Sequence, residues 1–181
     1  MKIKNYSGWI FIDKPEGRTS FDVIRKIKKS LEVKKIGHSG TLDPLASGIL
    51  GVAIGEATKS IPFFSKRKEY KFEITFGESK DTDDISGVTI DSTELMPSLE
   101  QITNCLNQFI GTISQIPPNY SAVKVNGMRA YKLARKNINF ELKEKKIEIY
   151  NLKCNGQINP STFSFTVDCS SGTYVRSLAR D

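Results

Sequence analysis

The chain of 181 residues contains a single histidine, His38, and that scarcity excludes a good deal. Sites that need two or three imidazoles, the commoner catalytic zinc sets among them, cannot be assembled from it. A serine–histidine–aspartate relay would have to use His38 itself, which lies too near Asp43 on too tight a loop. Cysteine is equally sparse: Cys105, Cys154 and Cys169 are odd in number, scattered and without a CxxC pair. They argue against a disulfide framework or a zinc site and fit a reducing cytoplasm. The first residues lack the apolar core of a signal peptide, and no uninterrupted apolar run approaches the ~20 residues of a spanning helix. Internal repeats and low-complexity segments are missing too. A soluble, cytoplasmic protein with no membrane partner is expected.

What is present is a chain suited to one domain with a sizeable core. Its 27 Lys+Arg against 20 Asp+Glu give a formal net charge of +7. A basic excess favours an anionic partner, nucleic acid ahead of membrane, although a solvated basic surface accounts for charge alone equally well.

The stretch Gly37-His38-Ser39-Gly40-Thr41-Leu42-Asp43-Pro44-Leu45-Ala46-Ser47-Gly48-Ile49-Leu50 holds most of the chemistry. Pro44 pushes Asp43 out of the helical region and brings no N–H of its own. The apolar run from Ile49 to Ile54 reads as a buried strand that anchors the loop. A carboxylate on a glycine-rich loop against a rigid strand is what a nucleophile or base requires. On spacing alone the plainer reading, a surface turn before a core strand, is the stronger one.

In chain order, Gly8–Ile12 reads as a strand closed by a turn at 13–17. Thr19 and Asp22 form a capping-box start for a helix with Phe21, Ile24, Ile27 and Leu31 on one face. Its other face carries Arg25, Lys26, Lys28 and Lys29. A short helix is expected from Gly55. Tyr70, Phe72, Ile74 and Phe76 alternate on one face of a half-buried strand. The acidic loop Asp81–Gly87 lacks the glycine and glutamate of a calcium loop, so no metal is expected there. Ser98 and Gln101 cap a helix with Leu99, Ile102, Leu106, Phe109 and Ile110 inward and Gly111 at its end. An Asn126-Gly127 turn then joins a strand to a short basic helix. Ile147, Ile149 and Leu152 belong to one further strand, and Phe163, Phe165 and Val167 to another. Strands and helices interleave without βαβ regularity, which predicts an α+β fold with a mixed, largely antiparallel central sheet flanked by helices.

Gly-His-x-Gly-Thr-Leu-Asp-Pro-x-Ala-x-Gly-x-Leu closely resembles the second motif of the TruB family of pseudouridine synthases. Asp13-Lys14-Pro15-x-Gly17-x-Thr19-Ser20 resembles its first motif, and Gly172-Thr173-Tyr174-x-Arg176-x-Leu178 another. The resemblance implies a pseudouridine synthase fold over 1–181, with Asp43 as catalytic nucleophile, Arg176 as the cation that pairs with it and Tyr70 stacking on the target base. Lys14 braces the floor of the site, Tyr174 lines its pocket, and His38 lies at the vacated stack or a phosphate. Asp84 orients the arginine or merely caps a turn. The run Gln115-x-Pro117-Pro118-x-x-Ser121-Ala122-x-Lys124 leads in that family into a thumb that closes on RNA, here roughly 119–143. Arg129, Lys132, Arg135 and Lys136 are accordingly phosphate-contact candidates, unless they form only a solvated helix face. Family members continue beyond the position of Asp181, often into a PUA domain, so an incomplete catalytic domain without that module is expected.

The implied reaction moves C1′ of a T-loop uridine of tRNA from N1 to C5 of the same base. It is a redox-neutral isomerisation that requires neither cofactor nor metal. Asp43 attacks C1′ or C6, or acts as the base that starts glycal formation; residue types do not choose among these. A monomer acting without guide RNA is expected, with a guide-dependent, dyskerin-like synthase, a non-catalytic RNA-binding or tRNA-folding module and a small-molecule hydrolase as competing readings.

Overall fold

The computed structural model describes residues 6–181, which divide into two compact units, one ending at Lys66 and the other running from Arg67 to Asp181. In the first, β1 (Gly8–Lys14) leads into α1 (Ser20–Leu31), then β2 (Ile36–His38) and β3 (Gly48–Ile54), followed by a 3-10 segment over Gly55–Phe63. The three strands form an antiparallel sheet in the order β1-β3-β2. The α1 capping box is present: Thr19 Oγ1 accepts from the Asp22 N–H at 3.0 Å, and the Asp22 carboxylate accepts from the Thr19 N–H at 3.3 Å. Ile24, Leu50 and Val52 are buried together, with Ile10, Ile12, Val23, Ile27 and Ile36 packed around them. Phe21, expected inward, is 68% exposed and lies beneath the Arg25 guanidinium instead. It occupies the first turn of α1.

The second unit opens with β4 (Arg67–Thr75), then β5 (Glu78–Lys80), β6 (Thr89–Ser92), α2 (Leu99–Leu106) and β7 (Gly111–Gln115). The pair β8 (Lys124–Val125) and β9 (Met128–Arg129) precedes α3 (Ala130–Ala134), β10 (Lys145–Asn159), β11 (Thr162–Ser170) and α4 (Val175–Arg180). Its main sheet has the order β4-β11-β10-β7, with β5-β6 and β8-β9 as separate ribbons, and every pairing described is antiparallel. The α+β, largely antiparallel expectation holds, with the strands shared among several sheets.

Asn126 and Gly127 both have positive φ, 49° and 84°, as a tight turn between paired strands requires. Leu152 lies three residues beyond Ile149, the wrong parity for one strand face, and a bulge between Ile149 and Asn151 restores it to the core beside Ile147 and Val167. The Ser98–Gln101 capping box forms, but only Ile102 of α2 is buried; Leu99 and Ile110 point outward. The helix tightens after Leu106 into one 3-10 turn capped by Ile110, and Gly111, next in the chain with φ 95°, both follows that end and opens β7.

Candidate active site

The Asp43 loop bridges β2 and β3 in the first unit, and its backbone is held from several sides. The Ser39 N–H donates to the Gly51 carbonyl at 2.9 Å, extending the strand pairing into the loop. A Cβ at Gly51 would lie 2.7 Å from Ser39 Oγ and 3.5 Å from the Trp9 ring, so the loop packs closely over this glycine. His38 Nδ1 donates to the Gly40 carbonyl at 2.6 Å, which fixes the proton on that nitrogen because a carbonyl only accepts. Gly17 N–H donates to the Pro44 carbonyl at 2.8 Å, and the Ala46 N–H to the Asp43 carbonyl at 3.1 Å. Asp43 itself is partly exposed.

Lys14 closes this arrangement from below. Its side chain is fully buried, and Nζ donates to the carbonyls of Pro15 (2.9 Å), Arg18 (2.8 Å) and Pro44 (3.5 Å). Three carbonyls match the three N–H bonds of an ammonium group. Burial pushes its pKa below the ordinary lysine value, while the negative charges of Asp43 and Glu16 act in the opposite direction. A buried cation thus lies within electrostatic reach of Asp43 inside the same unit.

In the second unit, Arg176 sits in the first turn of α4. Nη1 donates to the Thr82 carbonyl at 3.1 Å and lies 3.6 Å from Asp84 Oδ2; Nη2 donates to the Tyr120 carbonyl at 3.3 Å. Asp84 also accepts from Thr82 Oγ1 (2.8 Å), the Ser86 N–H (2.9 Å) and the Ser86 hydroxyl. Burial works to raise the Asp84 pKa, but those hydrogen bonds and the guanidinium outweigh it and hold the carboxyl below its usual value. One carboxylate therefore both caps the loop and faces the arginine. One helical turn on, Arg180 pairs with Asp83 at 3.0 Å.

Tyr70 packs against the apolar cluster that also takes Val175 and Leu178 of α4. Tyr174 is held by Gln115, whose Oε1 accepts from its N–H at 2.8 Å and whose Nε2 donates to its carbonyl at 3.1 Å. With Lys124, Arg129, Glu141, Lys143 and Lys145, Tyr174 lines a cavity of about 650 Å³. Arg129 donates to the Ala122 carbonyl and, like Lys132, Arg135 and Lys136, is exposed. Arg135 stacks over the Tyr131 ring. The structure thus groups Lys14, His38 and Asp43 in one unit and Tyr70, Asp84, Tyr174 and Arg176 in the other. Lys132 and Arg135 also belong to the second unit, on α3 and just past its end.

Sequence reasoning passed over Ser20, Gln115 and the Asp83–Arg180 pair. Ser20 ends the first motif and Gln115 begins the Pro-Pro run, so position was the only available signal for either.

The sequence model of "TruB family pseudouridylate synthase (N terminal domain)" matches residues 28–175. The chain belongs to the TruB family. The tRNA pseudouridine synthase B of Caulobacter sp. (strain K31) is 46% identical over 176 residues, covering 97% of this chain and 57% of that protein. The synthase of the same name from Ehrlichia ruminantium (strain Gardel) is 48% identical, covering 96% of this chain and 60% of that protein. This TruB-family chain therefore spans little more than half the length of the curated relatives it matches. Among solved structures, a chain of the crystal structure of a Cbf5-Nop10-Gar1 complex superposes with TM-score 0.67 at 30% identity, covering 97% of this chain and 43% of that one. A chain from an H/ACA RNP bound to a substrate RNA containing 2′-deoxyuridine gives TM-score 0.63 at 26% identity, covering 95% and 40%.

Proposed function

We propose that this chain is the catalytic portion of a tRNA pseudouridine synthase that isomerises a T-loop uridine of tRNA without a guide RNA. The observation that carries this reading is the way the Asp43 loop is built: a partly exposed carboxylate on a backbone fixed by the sheet, Gly17 and the buried Lys14. Such fixation is the preorganisation a nucleophile needs. The identity of 46–48% to tRNA pseudouridine synthase B over nearly the whole chain supports tRNA as the substrate.

In the proposed reaction the C1′–N1 bond breaks and a C1′–C5 bond forms; the C5 proton leaves and N1 takes one up. Asp43 is the carboxylate that attacks or removes a proton, and Arg176 is the cation that pairs with it. Tyr70 stacks on the uracil, with Tyr174 lining the pocket. His38 meets the vacated stack or a phosphate, and Lys14 and Asp84 hold Asp43 and Arg176 in place. Residues 119–143 act as the thumb, where Arg129, Lys132 and Arg135 contact phosphates and offset the few kcal/mol that base flipping costs. The protein acts as a monomer.

The test is to incubate the protein with an unmodified tRNA transcript and map pseudouridine by carbodiimide-blocked reverse transcription. A single new stop in the T-loop is expected. A clean map from folded protein that binds the transcript contradicts the reading.

A further inference from the structure

One hydroxyl holds both main-chain polar groups of the residue before Asp43. Ser20, the first residue of α1, is 2% exposed; its Oγ accepts from the Leu42 N–H at 2.9 Å and donates to the Leu42 carbonyl at 3.1 Å. A serine hydroxyl has one proton to give and two lone pairs to receive with, so both bonds form together. The Leu42 carbonyl shares a planar peptide unit with the Asp43 N–H, and the Leu42 N–H shares the preceding unit with Thr41. A single side chain thus orients both peptide planes that flank the Leu42 Cα. On the other side of Asp43, the Pro44 carbonyl is taken by the Gly17 N–H and by Lys14. Asp43 lies between two anchored residues, so its backbone is held on both sides.

We infer that Ser20 is a positioning residue for Asp43: by bracketing Leu42, it ties the backbone at the nucleophile to the first turn of α1. The inference rests on the synthase reading above. Its burial gives the bracket weight, because water cannot readily take over the two bonds when the hydroxyl is removed. The neighbouring Thr19 hydroxyl has a different task. It caps α1 through the Asp22 N–H and makes no described contact with the Asp43 loop.

The experiment compares the parent protein with Ser20→Ala and Thr19→Ala. Pseudouridine formation on a tRNA transcript gives kcat and KM, and hydrogen exchange reports the Leu42 amide. Ser20→Ala is expected to lower kcat roughly ten- to hundredfold, as a small misplacement of a catalytic group does, with KM within about twofold. Its Leu42 amide exchanges faster by about tenfold or more, as expected once the bracket opens. Thr19→Ala lowers thermal stability but keeps the parent kcat and Leu42 protection. Equal kcat in Ser20→Ala and the parent, or unchanged Leu42 exchange, overturns the inference. So does a Thr19→Ala variant that loses kcat as severely, since general loosening of α1 then explains the effect. A parent that forms no pseudouridine overturns the synthase reading itself, a result visible before either variant is made.

Discussion

The Arg176 guanidinium lies 3.6 Å from the Asp84 carboxylate and donates to the carbonyls of Thr82 and Tyr120. The arginine is thus aimed by an acidic loop and by the backbone at Tyr120, and its orientation does not depend on its own helix alone. Asp84→Asn keeps the loop's shape but removes the charge. The expected outcome is a fall in the rate of pseudouridine formation of about tenfold with tRNA affinity kept, because a charge-assisted contact of roughly 1.5–3 kcal/mol is weakened. Single-turnover kinetics beside a filter-binding titration checks it.

The same carboxylate makes a prediction in acid. A carboxyl whose pKa is depressed in the native state binds fewer protons there than in the unfolded chain. Its contribution is therefore fully present above the unfolded value of about 3.9 and is lost as pH falls through the lower native value. Urea unfolding of the parent across this acid range is expected to show falling stability, and Asp84→Asn a shallower fall. Parallel curves for the two proteins contradict this.

Lys14→Met removes three donors from a fully buried position and leaves the carbonyls of Pro15 and Arg18 without them. A hydrogen bond to a charged group contributes about 1.5–3 kcal/mol, so a loss of roughly 3 kcal/mol is expected in urea unfolding followed by circular dichroism. A loss below about 1 kcal/mol contradicts the bracing role.

Gly87→Ala probes the acidic loop by volume rather than by charge. A Cβ there would collide with Thr82 Oγ1 and Asp81 Oδ1 and lie 3.0 Å from the Thr82 backbone nitrogen. Overpacking of this kind costs about 1–3 kcal/mol. Because Thr82 also accepts from Arg176, the variant is expected to lose activity along with stability.

Local chemistry made much of this fold legible in the sequence. The two capping boxes and the Asn126-Gly127 turn are decided by residues within four positions of each other, and all three form as expected. Helix faces were harder. Phe21, Leu99 and Ile110 have the spacing of inward residues but sit at or beyond helix ends, where no neighbouring element covers them. Leu152 reaches the core only through a bulge that alternation cannot foresee. The acidic and basic residues of the candidate site stand out in the sequence, whereas the groups that hold them do not. A lysine reads as a surface charge, yet Lys14 is sealed in because the chain turns three carbonyls toward it. Ser20 and Gln115 each grip both polar groups of a residue far along the chain, and no spacing rule reports that.

The most direct measurement is pseudouridine formation by Asp43→Asn beside the parent, with tRNA binding measured on both. Asparagine keeps the size of the side chain and removes its charge and nucleophilicity. The account predicts parent-like affinity, within about twofold, and a loss of product formation of at least about a thousandfold, the scale seen when a reacting group is removed. An Asp43→Asn protein that binds tRNA and still forms pseudouridine at the parent's rate would contradict it.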